Sequence, residues 1–279
     1  MKSRSNAKIN LFLQIVGKNP ASYHLLESLV VFTKDIFDEI FIEESEFDCF
    51  TIDGEFASKL ETSNNSVITA LNLIRTQYKI DHKLDIKLIK NLPVAAGIGG
   101  GTSNAATIIK DLEKLWSFKF DEKLLLTLGA DVPVCYARHT SFVTGIGEHI
   151  TTIDNFPKIY LVLANPMTCL STKEIFANLK GNSFSDEIIT LPKFTSASDL
   201  CEFLSNTRND LENVATKLCP PILELIKTIA SSKGCNLARM SGSGATCFGI
   251  YYKMEDAQNA VDYLRKIYPH YWIRYSTIL

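Results

Sequence analysis

A cluster of glycines in the first half of the chain restricts the fold more than any other sequence feature. Four glycines stand within the five positions 97–101, between a predicted strand at 84–90 and a predicted helix at 105–116. Glycine adopts positive φ readily, so such a loop can turn its backbone N–H groups inward. The unpaired N–H groups of the following helix, at the positive end of its dipole, face the same loop. The pattern predicts a cradle for phosphate oxygens, with Thr102 and Ser103 as further hydroxyl donors.

Two widespread phosphate-binding motifs do not match this segment. A Walker-type P-loop requires a lysine directly after its glycines, and no lysine follows Gly101. A dinucleotide fingerprint requires a third glycine at the position that Thr102 occupies. A nicotinamide-dependent oxidoreductase is therefore kept only as an alternative.

Apolar periodicity predicts strands and helices that interleave without strict alternation. Residues 8–16 alternate between an apolar face and a face that carries Lys8 and Asn10, which is typical of a strand. The mixed order favours an α+β fold over a doubly wound sheet, with a boundary near 150–157. The predicted strands are 8–16, 38–44, 84–90, 158–164, 246–252 and 271–277. The predicted helices are 67–78, 105–116, 121–128, 222–233 and 255–267, with one more opened by a capping box at 171–174.

Composition and charge exclude several classes of protein. The 279 residues carry 29 basic and 31 acidic side chains, which leaves no electrostatic footprint for nucleic acid or an anionic membrane. The longest apolar run, 159–164, is far shorter than the roughly 18 residues of a membrane span. Seven cysteines without disulfide or zinc-ligand spacing favour reduced thiols. We therefore expect a cytoplasmic protein that has no secretory signal. We also expect that it binds neither a membrane nor a nucleic acid; the sequence does not give its oligomeric state.

The glycine segment resembles the ATP loop of the superfamily that comprises galactokinase, homoserine kinase, mevalonate kinase and phosphomevalonate kinase. Four further stretches, in the same order along the chain, resemble the family of 4-diphosphocytidyl-2-C-methyl-D-erythritol kinases within it. Two positions depart from that family, which usually has glycine where Ser22 stands and serine where Thr102 stands. The matching segments are PVAAGIGGGTSNAA at 93–106, AKINLFL at 7–13 with the pair Tyr23 and His24, GADVP at 129–133, NDLE at 209–212 and MSGSGAT at 240–246.

This resemblance implies a two-domain α+β kinase with its active site in the cleft between the domains. Residues 1–155 would form the amino-terminal ATP-binding domain and residues 156–279 the carboxyl-terminal substrate domain. The implied reaction transfers a phosphoryl group from ATP, with Mg²⁺, to the 2-hydroxyl of 4-diphosphocytidyl-2-C-methyl-D-erythritol, a cytidine diphosphate sugar-alcohol of the non-mevalonate isoprenoid pathway. The alternatives are another kinase of the superfamily, acting on homoserine or mevalonate, and a nucleotide-binding module without catalysis.

The same resemblance implies the catalytic residues and the nucleotide loop. Asp131 would accept the proton of the substrate hydroxyl, and Lys8 would keep Asp131 ionised and in place. Pro133 fixes the backbone beside Asp131, and the retention of both charged residues argues against a module that has lost catalysis. The implied ATP-binding residues are Pro93, Val94, Ala95, Ala96, Gly97, Ile98, Gly99, Gly100, Gly101, Thr102 and Ser103.

Four residues are implied to bind the acceptor substrate. Tyr23 offers a stacking face for cytosine and His24 a hydrogen bond to the edge of the base. Phe176 would be a second stacking wall, and Asn10 shares the polar face of its strand with the catalytic lysine. Homoserine and mevalonate carry no base, so the Tyr-His pair favours the cytidine substrate over them. Mg²⁺ is expected to bind phosphate oxygens and water, and no metal ligand is assigned among the side chains.

Overall fold

The computed structural model describes residues 1–63, 65–179, 184–188 and 190–279. The chain folds into two compact units, each assembled from separate stretches of sequence. The first unit comprises Met1–Lys8, Ile36–Val94 and Gly99–Arg138, and the second comprises Ile9–Asp35, Ala95–Ile98 and His139–Leu279. The sequence boundary between residues 155 and 156 stays a prediction.

The described residues form an α+β fold, as the sequence predicts. The strands are β1 (Lys2–Lys18), β2 (His24–Glu44), β3 (Cys49–Asp53), β4 (Leu84–Ile89), β5 (Ser141–Gly145), β6 (His149–Thr152), β7 (Tyr160–Asn165), β8 (Cys235–Met240), β9 (Cys247–Tyr251) and β10 (Trp272–Thr277). The helices are α1 (Ser66–Tyr78), α2 (Gly100–Leu115), α3 (Leu125–Leu128), α4 (Val132–Ala137), α5 (Thr172–Ala177), α6 (Ala197–Ser205), α7 (Glu212–Leu218), α8 (Pro221–Ser231) and α9 (Met254–Ile267).

In the first unit, the end of β2 pairs antiparallel with β4, and β3 pairs parallel with β4 on its other edge. β4 alternates between buried and exposed side chains as a half-buried strand should. Helices α1, α2 and α4 pack together. Asn65 caps α1 by accepting the N–H of Val67, which fits the preference of that position for asparagine. The buried apolar residues of α2 include Ile108, Ile109 and Leu112.

In the second unit, the beginning of β2 pairs antiparallel with β5, which in turn pairs antiparallel with β6. A separate antiparallel sheet has the order β10-β7-β9-β8. Helices α8 and α9 pack against this sheet because each has one apolar face. Their buried residues join one core with the sheet, which includes Val162, Leu225, Ile229, Leu264 and Ile273.

Most predicted elements are confirmed within a few residues; β1 begins six residues before its predicted start, and two other elements differ in an informative way. The helix predicted from residue 105 begins five residues earlier, because Gly99 adopts a φ of 64° and lets the chain enter the helix at Gly100. β2 extends back to His24, whereas the sequence predicts a strand only at 38–44. Residues 27–33 are buried on both faces of this strand, so they lack the alternation that reveals a strand in sequence.

None of the helices in the described parts of the chain is both long enough and apolar enough to cross a membrane.

Candidate active site

An ion pair joins the two residues predicted to be catalytic. Nζ of Lys8 donates to Oδ2 of Asp131 at 2.7 Å, although the two residues lie 123 positions apart in the sequence. The lysine side chain is 4% exposed and the aspartate side chain 52% exposed. Asp131 stands at the amino-terminal cap of α4, but its carboxylate makes no capping hydrogen bond. The carboxylate is therefore held by the buried ammonium and presented to solvent.

The amino terminus of α2 lies against the stem of the same lysine. A Cβ built at Gly99 would lie 3.1 Å from Cβ and 3.2 Å from Cε of Lys8. Gly99 is the cap residue of α2 and offers no side chain to the helix, so the N–H groups of the first turn have no side-chain acceptor there. The structure thus brings together Lys8, Asp131 and an uncapped helix terminus of the kind that binds anions.

The first residue of α2 packs against a buried ion pair that is not among the residues predicted from the sequence. Nζ of Lys90 donates to Oδ2 of Asp38, while Oδ1 of Asp38 accepts the N–H groups of Asn91 and Leu92. A Cβ at Gly100 would lie only 2.8 Å from Nζ of Lys90. The ion pair therefore occupies the space that any larger residue at position 100 would need.

A sequence signal for this ion pair exists. Asp38 falls in the every-second-residue pattern of the buried residues Ile36, Ile40 and Ile42, so it lies on the same face of the strand. Lys90 continues the same kind of pattern after the buried residues of β4. A charge in phase with an apolar face is an indication of a buried pair.

Ser103 lies inside the first unit and not at its surface. Its N–H donates to the carbonyl of Gly99 at 2.7 Å, and its hydroxyl lies 3.4 Å from Sγ of Cys135. Burial raises the pKa of the Cys135 thiol to about 12, so this thiol is neutral. Thr102 is half-buried at the start of α2. The phosphate-binding roles of both hydroxyls stay predictions.

In the second unit, the start of the glycine segment is shaped by the loop that follows β8. The carbonyl of Ala96 accepts the N–H of Thr246, and the carbonyl of Gly97 accepts the hydroxyl of Ser241, both at 3.1 Å. A Cβ at Gly97 would lie 2.5 Å from the carbonyl oxygen of Ser241, and its φ is 72°. Only glycine therefore fits at position 97. Two more of the residues predicted to bind ATP belong to this unit: Ile98 is buried and Ala95 is exposed. Pro93 and Val94, at the end of a stretch of the first unit, are buried and partly buried.

Asn10 lies in a buried network of the second unit. Its N–H donates to Oγ of Ser241 at 3.1 Å, and its side-chain amide donates to Oγ of Ser28 at 2.7 Å. Among the described residues, Oδ1 of Asn10 has no hydrogen-bond partner. A buried acceptor without a partner is costly, so this oxygen is suited to receive a donor from a ligand.

Asn209 holds the loop at 240–246 in place, a role that its sequence context does not predict. Its side-chain amide donates to the carbonyls of Met240 at 2.9 Å and Gly242 at 2.8 Å, and its Oδ1 accepts the N–H of Leu211. Both polar atoms of its side chain thus bind backbone groups. The family resemblance includes the segment 209–212 but predicts neither of these two contacts with the loop. They join Asn209 to residues 31 and 33 positions further along the chain.

The residues predicted to bind the base fall into a packed pair and an exposed ring. The rings of His24 and Phe176 lie 5.2 Å apart with a 35° tilt. Phe176 is placed by α5, whose cap Ser171 accepts the N–H of Glu174 as its capping box predicts. Burial, and secondarily the charge of Lys18, lowers the pKa of His24 below 6.5, so its imidazole is neutral at pH 7. Tyr23 is 63% exposed.

No group of three or more His, Cys, Asp or Glu side chains that could hold a metal ion occurs within the described residues.

Two domain families match the chain. Residues 65–146 match the GHMP kinases N terminal domain, and residues 192–270 match GHMP kinases C terminal. A solved structure described as 4-(cytidine 5′-diphospho)-2C-methyl-D-erythritol kinase superposes with a TM-score of 0.80 at 25% identity, covering 100% of this chain and 99% of that chain. The mevalonate kinase of Methanococcus jannaschii shares the fold, with a TM-score of 0.66 at 13% identity over 100% of this chain and 98% of its own.

Curated relatives match over nearly the whole chain. The protein from Cereibacter sphaeroides is 40% identical over 272 residues, which is 96% of this chain and 96% of its own length. The protein from Wolbachia pipientis wMel is 38% identical, over 97% of this chain and 96% of its own length. The protein from Chelativorans sp. is also 38% identical, over 96% of this chain and 92% of its own length. All three carry the name 4-diphosphocytidyl-2-C-methyl-D-erythritol kinase.

Proposed function

The chain belongs to the family of 4-diphosphocytidyl-2-C-methyl-D-erythritol kinases, and from that membership we propose that Lys8 and Asp131 transfer a phosphoryl group from ATP to the 2-hydroxyl of that cytidine diphosphate sugar-alcohol. The observation that carries the proposal is the 2.7 Å ion pair between a buried ammonium and an exposed carboxylate beside the amino terminus of α2. It combines a proton acceptor with a positive charge and a site for phosphate, which are the parts that phosphoryl transfer requires.

Asp131 acts as the proton acceptor in this proposal. The substrate oxygen attacks the γ-phosphorus, its proton passes to the carboxylate of Asp131, and the bond to the ADP oxygen breaks. Lys8 orients the carboxylate through its hydrogen bond and offsets the negative charge that gathers around the transferred group. The enzyme supplies mainly positioning and charge, since phosphoryl transfer needs little covalent help.

The first turn of α2 is the proposed binding site of the ATP phosphates. Its cap at Gly99 leaves N–H groups without a side-chain acceptor, and these are the donors that phosphate oxygens use. Mg²⁺ would be held mostly by phosphate oxygens and water, as is usual for that cation, so the site needs no cluster of protein ligands. Bound there, it would neutralise charge on the phosphates.

Tyr23, His24 and Phe176 are the proposed contacts for cytosine. The neutral imidazole of His24 can donate one hydrogen bond and accept another, which suits the edge of an uncharged base. Its contact with Phe176 fixes the plane of the imidazole. Oδ1 of Asn10, which is buried and has no hydrogen-bond partner among the described residues, is proposed to accept a hydrogen bond from a hydroxyl of the sugar-alcohol.

We propose the cytoplasm as the site of action, because the reaction consumes ATP and the seven cysteines are free thiols, which reducing compartments maintain. The proposed partner is this small-molecule substrate alone. A net charge of −2 does not favour binding to a nucleic acid or an anionic membrane, because both are negatively charged.

ADP release tests the proposed function. Purified protein with ATP and Mg²⁺ should release ADP with 4-diphosphocytidyl-2-C-methyl-D-erythritol, and far more slowly with methylerythritol phosphate, homoserine or mevalonate. The product should carry the new phosphate on the 2-oxygen, which phosphorus NMR reads directly. Equal rates with and without the cytidine group would contradict the base contacts. Activity confined to homoserine or mevalonate would contradict the proposed substrate.

A further inference from the structure

Asn19 holds both polar backbone groups of Tyr23. The N–H of Tyr23 donates to Oδ1 of Asn19 at 3.0 Å, and the N–H of Asn19 donates to the carbonyl of Tyr23 at 2.9 Å. The same Oδ1 accepts the N–H of Ala21 at 3.0 Å, and the carbonyl of Asn19 accepts the N–H of Ser22 at 2.9 Å. Residues 19–23 therefore form a closed turn in which one side chain satisfies two N–H groups.

The conformation of Ser22 shows how strongly this turn is held. Its φ is 66°, in the left-handed region where a residue with a Cβ is disfavoured by roughly 1–2 kcal/mol. Glycine, which the family usually has at this position, would adopt the same φ freely. A serine retained there needs compensation, and the hydrogen bonds to Asn19 supply it.

Tyr23 and the neighbouring His24 are fixed in different ways. His24 begins β2 and packs against Phe176, so its ring has a neighbour in the fold. The ring of Tyr23 is 63% exposed, so solvent surrounds most of it. The direction in which Tyr23 leaves the backbone is consequently set by the turn and not by packing.

We propose that Asn19 is a positioning residue that determines how well the enzyme selects a substrate bearing a pyrimidine base. This inference rests on the proposed function, in which Tyr23 stacks on cytosine. A stacking ring on a preformed turn loses less conformational freedom when the base binds, so more of the stacking energy appears as affinity. Without Oδ1 of Asn19, two N–H groups lose their acceptor and the turn samples other conformations.

Steady-state kinetics of Asn19→Ala and Asn19→Asp test the proposal. Asn19→Ala should raise KM for 4-diphosphocytidyl-2-C-methyl-D-erythritol about three- to tenfold, the scale of a neutral hydrogen bond, with kcat and KM for ATP unchanged. Asn19→Asp keeps the accepting oxygen and should stay within about twofold of wild type. Asn236→Ala is the matched control, since this exposed asparagine also makes a turn contact, to the carbonyl of Gly234 at 2.9 Å. Its constants should equal those of wild type.

The Tyr23→Ala background separates positioning from a general structural role. If Asn19 acts through the ring, Asn19→Ala should add no further increase in KM once the ring is gone. An equal increase in both backgrounds, a parallel fall in kcat, or an unchanged KM in Asn19→Ala would overturn the inference and leave the proposed function intact. A wild-type enzyme inactive on the cytidine substrate would overturn both.

Discussion

Lys8 and Asp131 form one ion pair but differ sharply in exposure, at 4% and 52% for their side chains. The two members therefore respond differently to replacement. Removing the carboxylate leaves a buried ammonium without its anion, which is expensive, whereas removing the lysine leaves a carboxylate that water can solvate. Asparagine at position 131 also removes the negative charge, but its oxygen can still accept the hydrogen bond of Lys8. Asp131→Asn therefore perturbs the structure less than a variant that lacks this oxygen.

Asp131→Asn should fold and bind both substrates yet lose about 10²–10⁴ in kcat, the scale of a general base. Lys8→Met should lose a similar amount, and the double variant little more, because the two residues act as a unit. Single-turnover rates with matched circular dichroism spectra measure this. A kcat near that of wild type in a folded Asp131→Asn variant would contradict the assigned role.

In the proposed function, His24 should give the binding of the base a definite pH dependence. Burial first, and the charge of Lys18 second, lower the pKa of His24 below 6.5. Its neutral form therefore persists at and above that pH and is lost as the pH falls through the lowered pKa. We expect KM for the cytidine substrate to be flat from about pH 8 to 6.5 and to rise at lower pH, since protonation replaces the accepting nitrogen by a donor.

Two variants check the source of that profile. Lys18→Met removes one cause of the lowered pKa, so the rise in KM should begin at a higher pH. His24→Asn should have a higher KM without this pH dependence. The same low-pH rise in His24→Asn as in wild type would assign it to another group.

At the scale of elements, α2 shows why its three leading glycines are not equivalent. Gly99 has a φ of 64° and a Cβ there would meet Lys8, whereas a Cβ at Gly101 would make an ordinary contact 3.4 Å from Oγ of Ser66. Gly99→Ala should destabilise the fold by about 1–2 kcal/mol and also lower kcat, since the stem of Lys8 must move. Gly101→Ala should be neutral or stabilising by up to about 1 kcal/mol, because alanine is the better helix former.

Urea unfolding of both variants measures the difference. Gly17→Ala is a suitable control, since a Cβ there would lie 3.6 Å from Cδ1 of Leu25 and its φ is not positive. Equal stabilities of Gly99→Ala and Gly17→Ala would show that the cap conformation at Gly99 is not required.

At the scale of the whole molecule, nucleotide binding should appear as added stability. A ligand at a hundredfold excess over its Kd stabilises the native state by about 2.7 kcal/mol, which corresponds to roughly 5 °C in Tm for a chain of this size. ATP or ADP with Mg²⁺ should give such a shift in thermal unfolding. NADH should give none; a larger shift with NADH than with ATP would favour the dinucleotide alternative.

The sequence by itself determined the elements whose signals are local. The caps at Asn65 and Ser171 and the glycines before α2 act within a few residues, so their outcome does not depend on a distant partner. The alternation of residues 8–16 indicates a strand, although the strand that pairs with it lies elsewhere in the chain. The family resemblance added the roles predicted for the charged, hydroxyl and aromatic residues near these elements. It implied one contact of the site, that of Lys8 with Asp131, but not those of Asn10 with Ser28 and Ser241.

Tertiary structure alone decided the contacts of the site. The pairing of Lys8 with Asp131 spans 123 positions and that of Asn10 with Ser241 spans 231. The polar face of β1, which a lone strand would turn to solvent, is buried at Lys8 and Asn10. Burial of a charge is tolerated only where the fold supplies its partner, and that partner comes from a different part of the chain. Periodicity records which face a residue occupies, but what covers that face is settled only when distant segments pack.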